Sequence, residues 1–135
     1  MENPSVIQKG LTMRVYCSGP MTGHPDLNRP AFDAAERRLS EQGHFVINPV
    51  NISVMFGTAE ELAKSFAALY GQTPFGGFGY SPSLARAVMD ADLAAVRSCD
   101  AIYLLRGWET SRGAKRELAE ALQYNLEIIQ EGVEK

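Results

Sequence analysis

The run Asp100-Ala-Ile-Tyr-Leu-Leu-Arg-Gly-Trp-Glu-Thr-Ser-Arg-Gly-Ala-Lys-Arg-Glu117 decides the fold. Its first part, Ala101-Ile-Tyr-Leu-Leu105, is short, apolar and flanked by turn residues, the signature of a buried strand. Gly107-Trp108-Glu-Thr-Ser111-Arg-Gly113 breaks the strand and leads into a helix that carries Glu117 about a turn and a half from its start. A strand that ends in a Gly-rich turn and feeds a helix aims backbone N–H groups and the positive end of the helix dipole at one point. An anion such as phosphate is stabilised there, and Glu117 stands close enough to act on whatever is held.

The alternation of strand and helix continues on both sides of that run. Met13-Arg-Val-Tyr-Cys-Ser18 reads as a buried strand, ended by the breakers of Ser18-Gly-Pro-Met-Thr-Gly23. A helix is predicted from about Pro30, with Phe32, Ala35 and Leu39 at helical spacing, until Gly43 stops it. His44-Phe-Val-Ile-Asn48 is a second strand. Helical periodicity covers Thr58 to Leu69, Pro82 to Ser98 and Ser111 to Asn125, and Leu126-Glu-Ile-Ile129 is the last strand. This order predicts an α/β fold: one Rossmann-like or flavodoxin-like domain, a parallel sheet flanked by helices. Residues 1–12 form a polar leader. Residues 70–81, rich in Gly and aromatic side chains, form a loop suited to a lid or a subunit contact. Ligands of such sheets sit beyond the carboxyl ends of the strands, so the turns after Cys17, Ile47 and Leu105 are expected to converge on one crevice.

The 135 residues make room for one domain that buries roughly two-thirds of its unfolded surface. A net charge of -3 with scattered Lys and Arg offers no basic stripe, which argues against duplex nucleic acid as a partner. Neither a cationic leader with an apolar core nor a run of about 18 apolar residues is present, so a cytoplasmic protein with no membrane segment is expected. Cys17 and Cys99 each lie in or beside a buried element and suit small apolar core residues better than a disulfide framework. No metal-ligand cluster accompanies them, and no cofactor is expected. A Gly-x-Gly-x-x-Gly dinucleotide fingerprint does not follow the first strand, because Ser18-Gly-Pro-Met-Thr-Gly23 has the wrong spacing.

Two acids lie on apolar helix faces. Asp92 has Val88, Met89, Ala95 and Val96 one turn to either side, and Glu117 has Gly113, Ala114 and Ala121, with only Glu120 polar. An unpaired buried carboxylate is costly, so Asp92 either protonates, finds hydrogen-bond donors in the core, or points into a cavity where a ligand uses it. Glu109, Glu120, Glu127 and Glu131 read as solvated surface acids. Two carboxyls in one pocket suit chemistry at an anomeric carbon, one attacking or stabilising an oxocarbenium-like centre and the other handling a proton. Binding of Mg²⁺ is the weaker alternative, since no Asp-rich turn is visible.

Taken together, Val15-Tyr-Cys-Ser-Gly-Pro-Met-Thr-Gly23, Asp92-Leu93 and Gly107-Trp-Glu-Thr-Ser-Arg-Gly-Ala-Lys-Arg-Glu-Leu118 resemble the nucleoside 2-deoxyribosyltransferase superfamily, and within it a small domain common in phages and bacteria. The resemblance runs from about Arg14 to Ile129, outside the leader and the 70–81 loop, and Ser-x-Gly-x-x-x-Glu-Leu after a strand is its most specific part. It implies that Glu117 is the nucleophile that takes the sugar from the base, that Asp92 assists at the base or a sugar hydroxyl, and that Tyr16 orients Glu117. Relatives acting on free nucleosides tend to carry an acid six residues before the nucleophile, whereas those hydrolysing deoxynucleoside 5′-monophosphates carry serine. Ser111 holds that place, which implies a phosphorylated substrate.

A carboxylate at that helix start would repel phosphate, while the Ser111 hydroxyl, backbone N–H groups and Arg112 would hydrogen-bond it. Serine there is equally an ordinary N-cap, and the two roles can coexist. Gly19 and Gly113 are the positions where backbone would approach the ligand, although either could simply supply a turn. Trp108 could stack on a base, or pack as a partly buried core residue. Tyr16, on a central strand, could serve packing alone, and Asn28 and Asn48 read as turn chemistry that could also touch ligand. Lys115 stands where some relatives have glycine, and Phe75–Tyr80 has no counterpart among them. The expected activity is an N-glycosidase or deoxyribosyltransferase with a small nucleotide or nucleoside as partner, hydrolysis favoured over transfer. The resemblance further implies a homo-oligomer, dimer or higher, whose pockets are completed across a subunit boundary. The alternative is a non-catalytic nucleotide-binding or sensing module on the same fold.

Overall fold

Alternation along Arg14-Val-Tyr-Cys-Ser18 sends Val15 and Cys17 to one side of a strand and Tyr16 to the other, and all three are fully buried. A strand buried on both faces belongs in the middle of a parallel sheet covered by helices. The computed structural model describes residues 11–71 and 81–133. In chain order these form β1 (Arg14–Ser18), α1 (Arg29–Glu41), β2 (Phe45–Ile47), α2 (Pro49–Ser53), α3 (Ala59–Leu69), α4 (Ser83–Arg97), β3 (Ala101–Leu104), α5 (Arg112–Gln123) and β4 (Glu127–Gln130). The strands lie in the order β2-β1-β3-β4 and every neighbouring pair is parallel. This is the expected α/β architecture, Rossmann-like or flavodoxin-like.

The two faces of the sheet have separate cores. Val15, Cys17 and Tyr103 meet Phe32, Ala35 and Leu39 of α1, while Tyr16, Ile102 and Leu104 meet Val96 of α4 and Ala121 of α5. Cys17 and Cys99 are buried free thiols, and burial pushes the Cys17 thiol up to about 12. No helix among the described residues is long and apolar enough to cross a membrane.

Helix ends follow their capping residues. Thr58 and Glu61 form a reciprocal capping box that starts α3, with 2.9 and 3.1 Å bonds. The Ser65 hydroxyl accepts from the Ala85 N–H at 2.9 Å and donates to the Ser81 carbonyl at 2.8 Å, tying α3 to the start of α4 through a buried polar group. The short α2 was not expected: Asn48 accepts from the Val50 N–H at 3.1 Å and Pro49 occupies the first turn, which suffices for five residues that carry no helical period.

β1 lies between β2 and β3, and the chain crosses over it on the way from β2 to β3. The turns after β1 and β3 therefore lead away in opposite directions and leave a crevice between them. That topology also corrects one expectation. β2 is the edge strand on the far side, so the turn after Ile47 does not line the crevice among the described residues; α3 and α4 supply that wall instead. Residues 1–10 of the leader and residues 72–80 of the Gly- and aromatic-rich loop lie outside the described residues.

Candidate active site

The crevice is a cleft of about 160 Å³. Gly19, Pro20 and His24 from the turn after β1 form one side, Tyr70 and Asp92 the wall from α3 and α4, and Ser111, Gly113 and Glu117 the side from α5. A cavity of this size matches one that encloses a single small ring and is below the range for a whole drug-sized ligand.

Glu117 is 5% exposed and is held by two hydroxyls from the same face of β1. Tyr16 donates its phenolic proton to Oε2 at 3.0 Å, and Ser18 donates to Oε1 at 2.6 Å. Residues i and i+2 of a strand share a face, so the alternation that buries Tyr16 also delivers Ser18. Burial raises the Tyr16 pKa well above its usual value, with the charges of Glu117 and Asp92 adding to it, so the phenol remains a donor.

Asp92 is 3% exposed, and its Oδ1 has no hydrogen-bond partner among the described residues. Burial, the negative charge of Glu117 and a hydrogen bond to Glu117 all push its pKa up. Burial raises Glu117 too, but the hydrogen bonds from Ser18, Tyr16 and Asp92 oppose that rise. Burial pushes both acids up, Asp92 further than Glu117, so Glu117 is the stronger acid of the pair and ionises first. The cleft thus pairs an oriented carboxylate with a carboxylic acid that has one oxygen free, an arrangement able to attack an electrophilic carbon and to move a proton beside it.

The start of α5 forms one end of the cleft, where free backbone N–H groups of the first turn lie. Ser111 caps the helix, its Oγ accepting from the Ala114 N–H at 3.1 Å. A hydroxyl has two lone pairs and a proton, so capping leaves the O–H available to a ligand oxygen. At Gly113 an added Cβ would lie 3.4 Å from the Met89 methyl and 3.6 Å from the Tyr70 hydroxyl, taking up space at the helix start. Arg112 donates to the Tyr70 carbonyl at 3.3 Å and lies over the Tyr70 ring.

Glu117, Asp92, Gly19, Ser111, Arg112 and Gly113 all line this cleft, with Tyr16 directly behind Glu117. Gly19 also has a packing reason, since a Cβ there would stand 2.8 Å from Leu105 Cβ. Trp108 is not among the described lining residues; it packs, partly buried, beside the Tyr16 and Ile102 core. Asn48 caps α2 and bonds Asp33 and Glu36, and Asn28 donates to the Pro20 carbonyl at 2.9 Å.

Sequence reasoning missed Ser18 and Tyr70. Ser18 lies two residues beyond Tyr16, which is the signal that could have found it. Tyr70 follows α3, and only tertiary packing brings its ring to the cleft; burial and the charge of Glu117 raise its pKa. One surface reading is also corrected. Glu120 is 5% exposed and accepts from Arg97 at 2.7 Å and Arg116 at 2.9 Å. Arg97, distant in sequence, helps make burial of this acid tolerable. Glu131 stays partly exposed and accepts from the Arg106 N–H and from Arg38, both at 2.9 Å. Among the described residues no group of three His, Cys, Asp or Glu side chains is placed to hold a metal ion.

The family described as "Domain of unknown function (DUF4406)" matches residues 13–70 and 80–130. No curated protein and no solved structure matches the chain. The matched segments contain all of the described residues that line the cleft.

Proposed function

The chain belongs to the DUF4406 family, and we propose that this member hydrolyses the N-glycosidic bond of a nucleoside or deoxynucleoside 5′-monophosphate through a covalent glycosyl enzyme at Glu117. One observation carries the reading: Asp92 and Glu117, both buried, line one cleft whose other end is the start of α5, close enough for each to shift the other's pKa. The motif resemblance to the nucleoside 2-deoxyribosyltransferase superfamily supports it independently, and Ser111 in place of an acid favours a substrate with a 5′-phosphate.

An oxygen of Glu117 bonds to C1′ while the C1′–N bond breaks, and the bonding pair leaves with the base. Asp92 delivers its proton to that base. Tyr16 and Ser18 fix the nucleophile by donating one hydrogen bond to each of its oxygens. In the second step water adds to C1′ as the ester to Glu117 breaks, and the Asp92 carboxylate takes the water's proton, so both acids return to their starting states. The transition state is oxocarbenium-like, and the negative charge of Glu117 stabilises it. The 5′-phosphate is received by the Ser111 hydroxyl, the free N–H groups at the start of α5 and Arg112.

A cleft of about 160 Å³ encloses the sugar and leaves the base beyond its mouth. On this account the base is held by a second copy of the chain, in a homo-oligomer of the cytoplasm.

The test is incubation with each ribo- and deoxyribonucleoside 5′-monophosphate, followed by chromatography for free base. Base release that falls by at least about 10³-fold in Glu117→Ala and about 10²- to 10⁴-fold in Asp92→Asn is the expected result. A wild-type blank across the panel, with a nucleotide bound and recovered intact, would assign the cleft to a binding module instead.

A further inference from the structure

Beside the cleft, on the far side of Tyr70, Met89 and Arg112, is a second groove of about 380 Å³. These three residues line both spaces. Helical spacing sets the groove's charge: Arg112 and Arg116 lie one turn apart on α5, and Arg86 faces them from α4 with Asp90 a turn beyond it. Three guanidiniums thus surround one carboxylate.

Neighbouring groups do not cancel that excess. Among the described residues Arg112 bonds the neutral carbonyl of Tyr70 and no acid. Arg116 has Glu120, but Glu120 is shared with Arg97. Arg86 is exposed, and its guanidinium has no ion pair or hydrogen-bond partner among the described residues. On a chain of net charge -3 this is a local concentration of cations, arranged as a track that starts at the α5 end of the cleft.

We propose that this groove binds a polyphosphate chain, so that the protein accepts nucleotides with two or three phosphates on the 5′ oxygen. The proposal rests on the reading that the start of α5 takes the first phosphate. The second phosphate then lies over Arg112, common to both spaces, and the third between Arg86 and Arg116. Guanidiniums suit this task because each can donate two parallel hydrogen bonds to one phosphate. The groove is open to solvent and, at about 380 Å³, has room for a chain of phosphates.

Inorganic probes read the groove without turnover. Calorimetric titration of the full chain with orthophosphate and with tripolyphosphate, at about 0.15 M salt to screen diffuse attraction, should give at least about tenfold tighter binding of the longer anion. Arg86→Gln should remove most of that difference and leave orthophosphate affinity unchanged, while Asp90→Asn should tighten tripolyphosphate binding. Both positions are exposed, and unchanged melting temperatures would confirm that both variants fold. Equal affinity for the two probes, or tripolyphosphate binding indifferent to Arg86→Gln, would overturn the proposal. A chain that cleaves monophosphates but does not distinguish the probes refutes the groove alone; one that distinguishes them but releases no base refutes the glycosidase alone.

Discussion

Tyr16 and Ser18 each place one hydroxyl on one oxygen of Glu117, so their removal should act on the nucleophile before it acts on the fold. A hydrogen bond to a charged group contributes about 1.5–3 kcal/mol, and Tyr16→Phe and Ser18→Ala should each lower kcat by about 10- to 100-fold. The sign of the pH effect follows from the same bonds. They favour the ionised form and hold the Glu117 pKa down against burial, so either substitution raises it, and the acid limb of the pH–rate profile moves to higher pH. A role confined to packing would lower the melting temperature and leave that limb in place. Asp92 and Glu117 were legible in the sequence because their helical neighbours are apolar. Ser18 was not, since a serine at the end of a strand reads as a breaker until the hydroxyl's target is known. Glu120 looked solvated for a related reason: one of the arginines that neutralise it, Arg97, lies on another helix.

At the scale of elements, the cleft depends on how closely the turn after β1 approaches the end of β3. The Leu105 N–H bonds the Ser18 carbonyl at 2.8 Å, and Gly19 lies against Leu105 with no space for a Cβ. Gly19→Ala should force the two strand ends apart at a cost of about 1–3 kcal/mol, lowering the melting temperature by roughly 3–10 °C in a chain of this size. Thermal denaturation measures it; an unchanged midpoint would show that the turn relaxes freely. The long helices α1, α3, α4 and α5 could be read from period and caps, as could all four strands. The sequence did not reveal α2, because five residues hold no helical period. Nor did it reveal that the turn after β2 stays out of the crevice, because strand order follows from which helices cross over β1 and not from the strands themselves.

For the whole molecule, two acids with raised pKa values are a stability burden that grows with pH. Below the ordinary carboxylate range of about 4 both the folded and unfolded chains hold these protons, and nothing is lost. As pH rises past that range the unfolded chain releases them while the folded chain keeps them, so stability falls until the raised values in the folded state are passed. Asp92→Asn removes the larger part of this burden. Its melting temperature should match wild type near pH 4 and exceed it by roughly 3–6 °C near pH 8, a gain of about 1–2 kcal/mol. A stabilised variant with lost activity is the expected mark of a site that trades stability for chemistry. The same pair predicts a bell-shaped rate profile with its maximum above the ordinary carboxylate range, because turnover needs Glu117 ionised and Asp92 protonated. The central claim is a bond between Glu117 and the sugar, and intact-protein mass spectrometry after rapid acid quench of turnover tests it directly. An added mass of one sugar phosphate, located on Glu117 by peptide mapping and absent from Glu117→Ala, is the expected result. Free base released at the wild-type rate by Glu117→Ala, with no adduct at any quench time, would contradict it.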